Sequence, residues 1–234
     1  MGLVRAGRLV CNAAMPVPAD DALPDHVLAR RAQLPRKPDP VTLTGERVIL
    51  RPFDRDADTE GLHLVSCGQA FTLRGHRVEA YDPDEQVWRW MSDGPFADAA
   101  ALGDWLAAHA ARPDVLSLTV HDRAIGWPVG IATFMANSPH DLKIELGNIW
   151  YGPIAQRTGA SREATRLMCA HAFGLGYRRV EWKCNARNER SRRAALSYGF
   201  TYEGTQDAHM IVKGRNRDTA WYRMLDRDWR MLAP

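Results

Sequence analysis

Between Tyr151 and Ser161 the chain reads Tyr-Gly-Pro-Ile-Ala-Gln-Arg-Thr-Gly-Ala-Ser, with a strand-like pattern before it and a helical period after it. A helix that starts straight after such a turn leaves its first amides without carbonyl partners, and its dipole places partial positive charge at the same end. Phosphate groups bind at such termini. Gly159 permits close backbone approach and Ser161 adds a hydroxyl, so Gln156, Arg157, Thr158, Gly159, Ala160 and Ser161 form a candidate anion loop. The same stretch also reads as an ordinary strand-to-helix connection. Arg187, Arg190, Arg192 and Arg193 crowd a short helix downstream, offering guanidinium forks to a phosphate or a substrate, and part of them is simply solvated face. Six of the eight histidines (63, 76, 109, 140, 171 and 209) show no pairing with carboxylates or cysteines, and Cys11, Cys67, Cys169 and Cys184 form no CxxC pair. No metal site is expected.

Two elements must hold the loop. The strand Lys143 to Tyr151 leads into it, and a helix over 160–173 leaves it, with Ala164, Leu167, Met168 and Ala172 as its buried stripe and Gly174 and Gly176 as its stop. Around this pair the sequence predicts a strand at 47–52 and helices at 59–66, 83–91 and 97–111. A hairpin follows, with strands 115–121 and 128–136 around the turn 122–126. Residues 179–184 alternate polar and apolar as a half-buried strand does, a helix is expected at 189–198, and strands at 209–213 and 219–225 close the chain. An antiparallel meander, then alternation with helices, then another hairpin implies a mixed α/β sheet with helices on its faces.

Residues 1–40 carry six prolines and no sustained apolar period, which predicts an extended arm that wraps the domain or a partly disordered tail, with no part in the main core, ahead of one domain over 41–234. The length of 234 residues and 45% hydrophobic content suit one domain plus such a segment. No run approaches a membrane span, and the apolar patch 9–15 is interrupted by Asn12, so a cytoplasmic protein with no membrane partner is expected. The formal charge of +3 suits a polyanionic small molecule and falls short of the concentrated basic patch that nucleic acid requires.

The spacing Gln156-x-x-Gly159-x-Ser161 resembles the pyrophosphate loop of the Gcn5-related N-acetyltransferases (GNAT), with Ser161 in place of the usual final Gly or Ala. Asn188-Glu-Arg-Ser191-Arg192 followed by Tyr198-Gly199-Phe200 resembles the family's second signature, and Leu43 to Pro52 resembles the opening strand of its RimJ/RimL-like branch. The three motifs stand in family order over residues 43–229. The resemblance implies a mixed, mostly antiparallel sheet of about seven strands, splayed between strands 143–151 and 179–184, with helices on both faces. It further implies coenzyme A in the splay, its pantetheine along the backbone of Ile149, Trp150 and Tyr151, its pyrophosphate on Gln156 to Ser161, and Asn188 and Arg193 as further contacts. Gly147 is the natural place for a bulge that opens the strands.

The implied reaction moves the acetyl group of acetyl-CoA, by direct attack, onto the primary amine of a small-molecule or amino-acid-like acceptor. A lysine-type amine with a pKa near about 10.4 is neutral in only about one molecule in a few thousand at pH 7, so a base helps. Glu145 is the candidate, since the RimJ/RimL-like branch carries a Glu on this strand; its other reading is a solvent-facing strand carboxylate. The position seven residues after Asn188, where many relatives place a proton-donating tyrosine, is Ala195. Ser191 is the next candidate for the donor to the departing thiolate, since the resembled branch carries Ser at the third residue after the Asn; its other reading is a first-turn residue that caps its own helix. Amides near Ile149 and Trp150 would hold the oxyanion. Of Trp88, Trp90 and Trp105, most would pack the core and one would wall the acceptor pocket. A peptide N-terminus is an alternative acceptor, a coenzyme-A-binding module without catalysis is an alternative role suggested by the absent tyrosine, and a homodimer is compatible with either.

Overall fold

The computed structural model describes residues 22–232, so Cys11 and the first 21 residues of the expected arm lie outside the described residues. A short helix α1 (Asp25–Leu28) precedes β1 (Leu43–Thr44) and β2 (Val48–Pro52). The Asp54 carboxylate then accepts from the amides of Asp56 and Ala57 and starts α2 (Arg55–Leu64). A small hairpin, β3 (Phe71–Leu73) and β4 (His76–Val78), and a π-helical turn at Asp84–Trp88 lead to α3 (Ala99–Ala110), capped by Asp98. The meander β5 (Leu116–Asp122), β6 (Trp127–Ser138) and β7 (Lys143–Tyr151) precedes α4 (Ala160–Leu175). After it come β8 (Arg179–Asn185), α5 (Glu189–Ser197), the long hairpin of β9 (Thr201–Val212) and β10 (Arg215–Leu225), and α6 (Asp226–Leu232).

Eight strands form the main sheet in the order β1-β2-β5-β6-β7-β8-β10-β9, one more than expected because the two-residue β1 joins its edge. Every neighbouring pair is antiparallel except β7 and β8. Side chains alternate between two cores, as the pleat requires. On one side Ala132, Phe134, Leu146 and Val180 pack under α4 with Met168 and Ala172; on the other Ile131 and Trp150 meet Leu62 of α2, Leu102 and Leu106 of α3, and Trp88. The carboxylate of Glu163 in α4 accepts the amides of Glu46, Arg47 and Val48, which pins the start of that helix against β2.

Three expectations need correction. Leu34 lies within the main core, and the Asn137 carboxamide donates 2.9 Å hydrogen bonds to the carbonyls of Pro35 and Arg36, so residues 22–40 wrap the domain, as one of the two alternatives has it, but take part in the core they were expected to stay out of. The 83–91 helix is a single π-helical turn. The last hairpin begins at Thr201 instead of 209: β9 is an almost wholly exposed edge strand, bulged around Ala208 (φ 49), so no apolar alternation marks its first half.

Candidate active site

The site exists because two parallel strands part company. β7 and β8 pair only at Lys143 with Arg179, Ile144 with Val180 and Glu145 with Glu181. Beyond Glu145, β7 stays with β6 while β8 stays with β10, leaving the edge of β7 from Leu146 to Tyr151 without a strand partner on that side. The register between β6 and β7 jumps from Thr133–Gly147 to Ile131–Trp150, and Asn148 sits in the jump with φ 47. Asn tolerates the left-handed region better than most residues, so the bulge falls one residue after the expected Gly147. Gly147 has a different use: a Cβ there would stand 2.5 Å from Met135 Sδ and 2.9 Å from Glu145 Oε1. The parting strands open a cleft of about 740 Å³.

At one end of the cleft lies the 156–161 loop. The Gln156 carboxamide donates to the Tyr151 carbonyl (3.1 Å) and the Gln86 carbonyl (3.3 Å), tying the loop to β7 and to the π-helical turn. Arg157 (φ 64) and Gly159 (φ 91) both take left-handed conformations, which is what requires glycine at the cap of α4; a Cβ at 159 would meet nothing closer than Arg47 Nε at 3.9 Å. With no side chain at the cap, the amides of Ser161 and Arg162 in the first turn of α4 stay open, while the Ala160 amide donates to Thr158 Oγ1 (3.3 Å). Thr158 turns back to donate to the Ala155 carbonyl (2.8 Å), and Ala160 is buried, so these two shape the loop from behind while Gln156, Arg157, Gly159 and Ser161 line the cleft. Tyr198 donates its phenolic proton to Ser161 Oγ (3.1 Å), and Arg162 covers the Tyr198 ring at 5.2 Å. The serine that departs from the motif is thus anchored from α5.

At the other end Glu145 is 4% exposed. Lys183 Nζ lies 2.6 Å from its Oε2, an ion pair whose angle falls short of a well-formed hydrogen bond. Burial pushes the Glu145 carboxyl above its ordinary range; the Lys183 charge opposes that rise without cancelling it, Glu181 adds to it and Arg217 works against it. Ile149, Trp150 and Tyr151 line the cleft along the open strand edge, and Trp150 also packs on Trp88 at 4.9 Å. Asn188 caps α5 by accepting from the Ser191 amide (3.1 Å), while Ser191 Oγ accepts from the Trp182 indole (3.0 Å).

Of the expected contacts Thr158 and Ala160 sit behind the loop and Arg193 faces away: it is exposed and outside the cleft lining, whereas Arg190 of the same helix lines the cleft and donates to the Glu85 carbonyl (2.8 Å). Trp90 is the tryptophan that walls the cleft, while Trp88 is core. Sequence reasoning missed Lys183 as a site residue and met Arg217 only as part of a polar turn, 213–218, near the acceptor side or else a plain hairpin tip. The strict alternation of β8 put Lys183 on a definite face, but only the register with β7 brings it to Glu145. Among the described residues no group of three His, Cys, Asp or Glu side chains is arranged to hold a metal ion, and no helix is long and apolar enough to cross a membrane.

Residues 47–201 match the family model described as "Acetyltransferase (GNAT) domain". Among solved structures, a GCN5-related N-acetyltransferase from Brucella melitensis is 36% identical with a TM-score of 0.76, covering 85% of each chain. A probable GNAT-family acetyltransferase from Chromobacterium violaceum is 29% identical with a TM-score of 0.73, covering 96% of this chain and 100% of that one. A ribosomal-protein-serine acetyltransferase from Vibrio cholerae shares the fold at 20% identity and a TM-score of 0.61, over 81% of this chain and 99% of that one. No curated protein matches.

Proposed function

The chain belongs to the GNAT acetyltransferase family, and from that premise we propose that it transfers the acetyl group of acetyl-CoA, by direct attack, to the primary amine of a small-molecule or amino-acid-like acceptor. The observation that carries the reading is Glu145, a buried carboxylate of raised pKa standing where β7 and β8 separate and facing the cleft. The residues present suit coenzyme A: open first-turn amides and Gly159 for its pyrophosphate, an unpaired strand edge at Ile149 to Tyr151 for its pantetheine, and Asn188 beside them. Acetyl-CoA supplies the activated acyl group; the chain supplies position and proton transfer.

In this reading the acceptor nitrogen attacks the thioester carbon, and Glu145 takes its proton directly or through water. Amides of Ile149 and Trp150 stabilise the negative charge that develops on the carbonyl oxygen. The carbon–sulfur bond then breaks, and the departing thiolate takes the Ser191 proton as Ser191 takes one from water in the cleft, so that the hydroxyl acts as a relay. Its Oγ already accepts from Trp182, which leaves its own hydrogen free to be given elsewhere. The β2 motif 43–52 favours a place near the RimJ/RimL-like branch, and a cytoplasmic setting accompanies the use of acetyl-CoA.

Gly159→Glu tests the reading. It places a bulky anion at a left-handed position where pyrophosphate is to approach. Calorimetry is expected to show acetyl-CoA binding lost from a folded protein; unchanged affinity would move coenzyme A elsewhere.

A further inference from the structure

The cleft holds a cation that no described residue pairs with. Arg217 lies in β10 and lines the cleft, half-buried, with its Nε sealed from solvent. Among the described residues its guanidinium makes no hydrogen bond and no ion pair. The other basic groups of the lining differ. Lys183 is spent on Glu145, Arg190 donates to the Glu85 carbonyl, Arg162 donates to the Ser197 carbonyl (3.0 Å), and Arg112 stands 3.7 Å from Asp114. Arg157 is exposed and sits on the phosphate loop at the opposite end.

The backbone around Arg217 fixes its position. The register between β9 and β10 slips from Arg217–Met210 to Thr219–Gln206, and the slack is taken up around Ala208, whose amide donates to Asp218 Oδ1 at 2.8 Å. His209 bonds Thr219 Oγ1 at 2.9 Å beside it. The guanidinium so placed acts electrostatically on Glu145 and Cys184. Glu145 already has Lys183, so two cations face one carboxylate and the reactive end of the cleft carries a surplus positive charge. The lining contains only one other carboxylate, Glu85, and that one is paired with Arg89.

A polycationic acceptor would find no free carboxylate there and would meet two cations. An acceptor carrying its own anion would find an unpaired, partly desolvated guanidinium, the group best suited to bind a carboxylate. We infer that Arg217 is an acceptor-binding residue that pairs with a carboxylate of the acceptor, so that the substrate class is amino acids and related aminocarboxylates, with the amine at Glu145 and the acid at Arg217. This rests on the acetyltransfer reading above and narrows it.

Matched acceptors test the inference: amino acids, the corresponding amino-acid amides, and spermidine, assayed by acetyl-CoA consumption. The amine of an amide is less basic and more often neutral, so intrinsic reactivity favours the amides and a preference for the acids must come from binding. The native chain is expected to favour the acids by about 10- to 100-fold in kcat/KM, the size of a charge-assisted contact. Arg217→Gln should erase that preference, mainly through KM, and Arg217→Lys should restore part of it. Equal or better turnover of amides or spermidine by the native chain overturns the inference and leaves acetyltransfer standing, as does an Arg217→Gln loss that is the same for acids and amides. If no amine is acetylated, the acetyltransfer reading fails, and the contact is read directly by titrating N-acetylated amino acids and their amides into the coenzyme-A-saturated protein. Binding of the acids alone, lost in Arg217→Gln, supports the pairing; no discrimination by the native chain ends it.

Discussion

Asp58 and Glu145 are both carboxylates buried against the same sheet, and their surroundings are opposite. Asp58, fully buried in α2, accepts from Arg51, the Thr119 hydroxyl at 2.6 Å and the Asp54 amide at 3.0 Å, and the His121 ring stands 3.4 Å away. Burial alone would push its pKa up, but His121, Thr119, the Asp54 amide and Arg51 together hold it below the ordinary value. Glu145 is also buried, has a single ion pair and a cleft in front of it, and burial that its one partner does not offset moves its pKa up. A carboxylate whose lone pairs are all taken knits α2 to β2 and β5; one left partly unsatisfied beside a cleft can still accept a proton.

The largest effect should come from Glu145→Gln, which keeps the shape and removes the base. We expect the acetyl-transfer rate at neutral pH to fall by about 10²-fold or more, with the loss shrinking as rising pH neutralises the acceptor without help. Stability should stay within about 1 kcal/mol of the parent, because a carboxylate of raised pKa does not stabilise the fold in its charged form. A variant that matches the parent while chemistry limits the rate would remove Glu145 as the base. One that unfolds would put it on the same footing as Asp58.

Asp58→Asn should do the reverse, retaining acetyl-CoA affinity while costing about 2 kcal/mol, a figure held down because Arg51 remains partly exposed and screened. In a chain of this size that lowers Tm by about 4 to 8 °C. The sign with pH follows from the direction of the shift. The folded-state pKa is depressed, so the stabilisation is fully present above the unfolded value of 3.8 and is lost as pH falls through the folded pKa. Denaturant unfolding of parent and variant should therefore differ at pH 6 and converge in strong acid. A gap that widens toward low pH would contradict the donor set.

How legible these two sites were in the sequence differs for a physical reason. The loop at 156–161, the strand 143–151 and the Asn188 cap depend on local chemistry: a glycine in the left-handed region, an apolar alternation, a short polar side chain folding back on an amide. Each could be read from neighbouring residues. Lys183 and Arg217 could not, since each reaches the cleft by register, through the parallel pairing of β7 with β8 and the slip between β9 and β10. Asp58 was silent for the same reason, with Thr119 and His121 coming from a strand sixty residues away in sequence. The displaced bulge makes the point on a smaller scale, because composition favours Gly147 while the register selects Asn148.

Ser191 lies between these extremes and should give the smallest effect. Its amide belongs to the helix cap on Asn188, so Ser191→Ala leaves that bond in place, whereas its hydroxyl accepts from the Trp182 indole and is the candidate proton donor. Acetyl-CoA affinity should therefore be nearly unchanged. The rate should drop by less than about 10-fold at neutral pH, since a thiolate of pKa near about 8.5 leaves without much help. Removing Oγ also strands the Trp182 indole, which costs about 1 kcal/mol of stability whatever the hydroxyl does in catalysis. Ser191→Thr separates the two roles, because it keeps a hydroxyl at the same place. If the hydroxyl gives the proton, Thr should recover most of the rate, and the Ala deficit should fade above about pH 8.5, where the thiolate no longer needs protonation. If Ala and Thr lose rate equally at every pH, Ser191 acts only by packing, and water in the cleft protonates the leaving group.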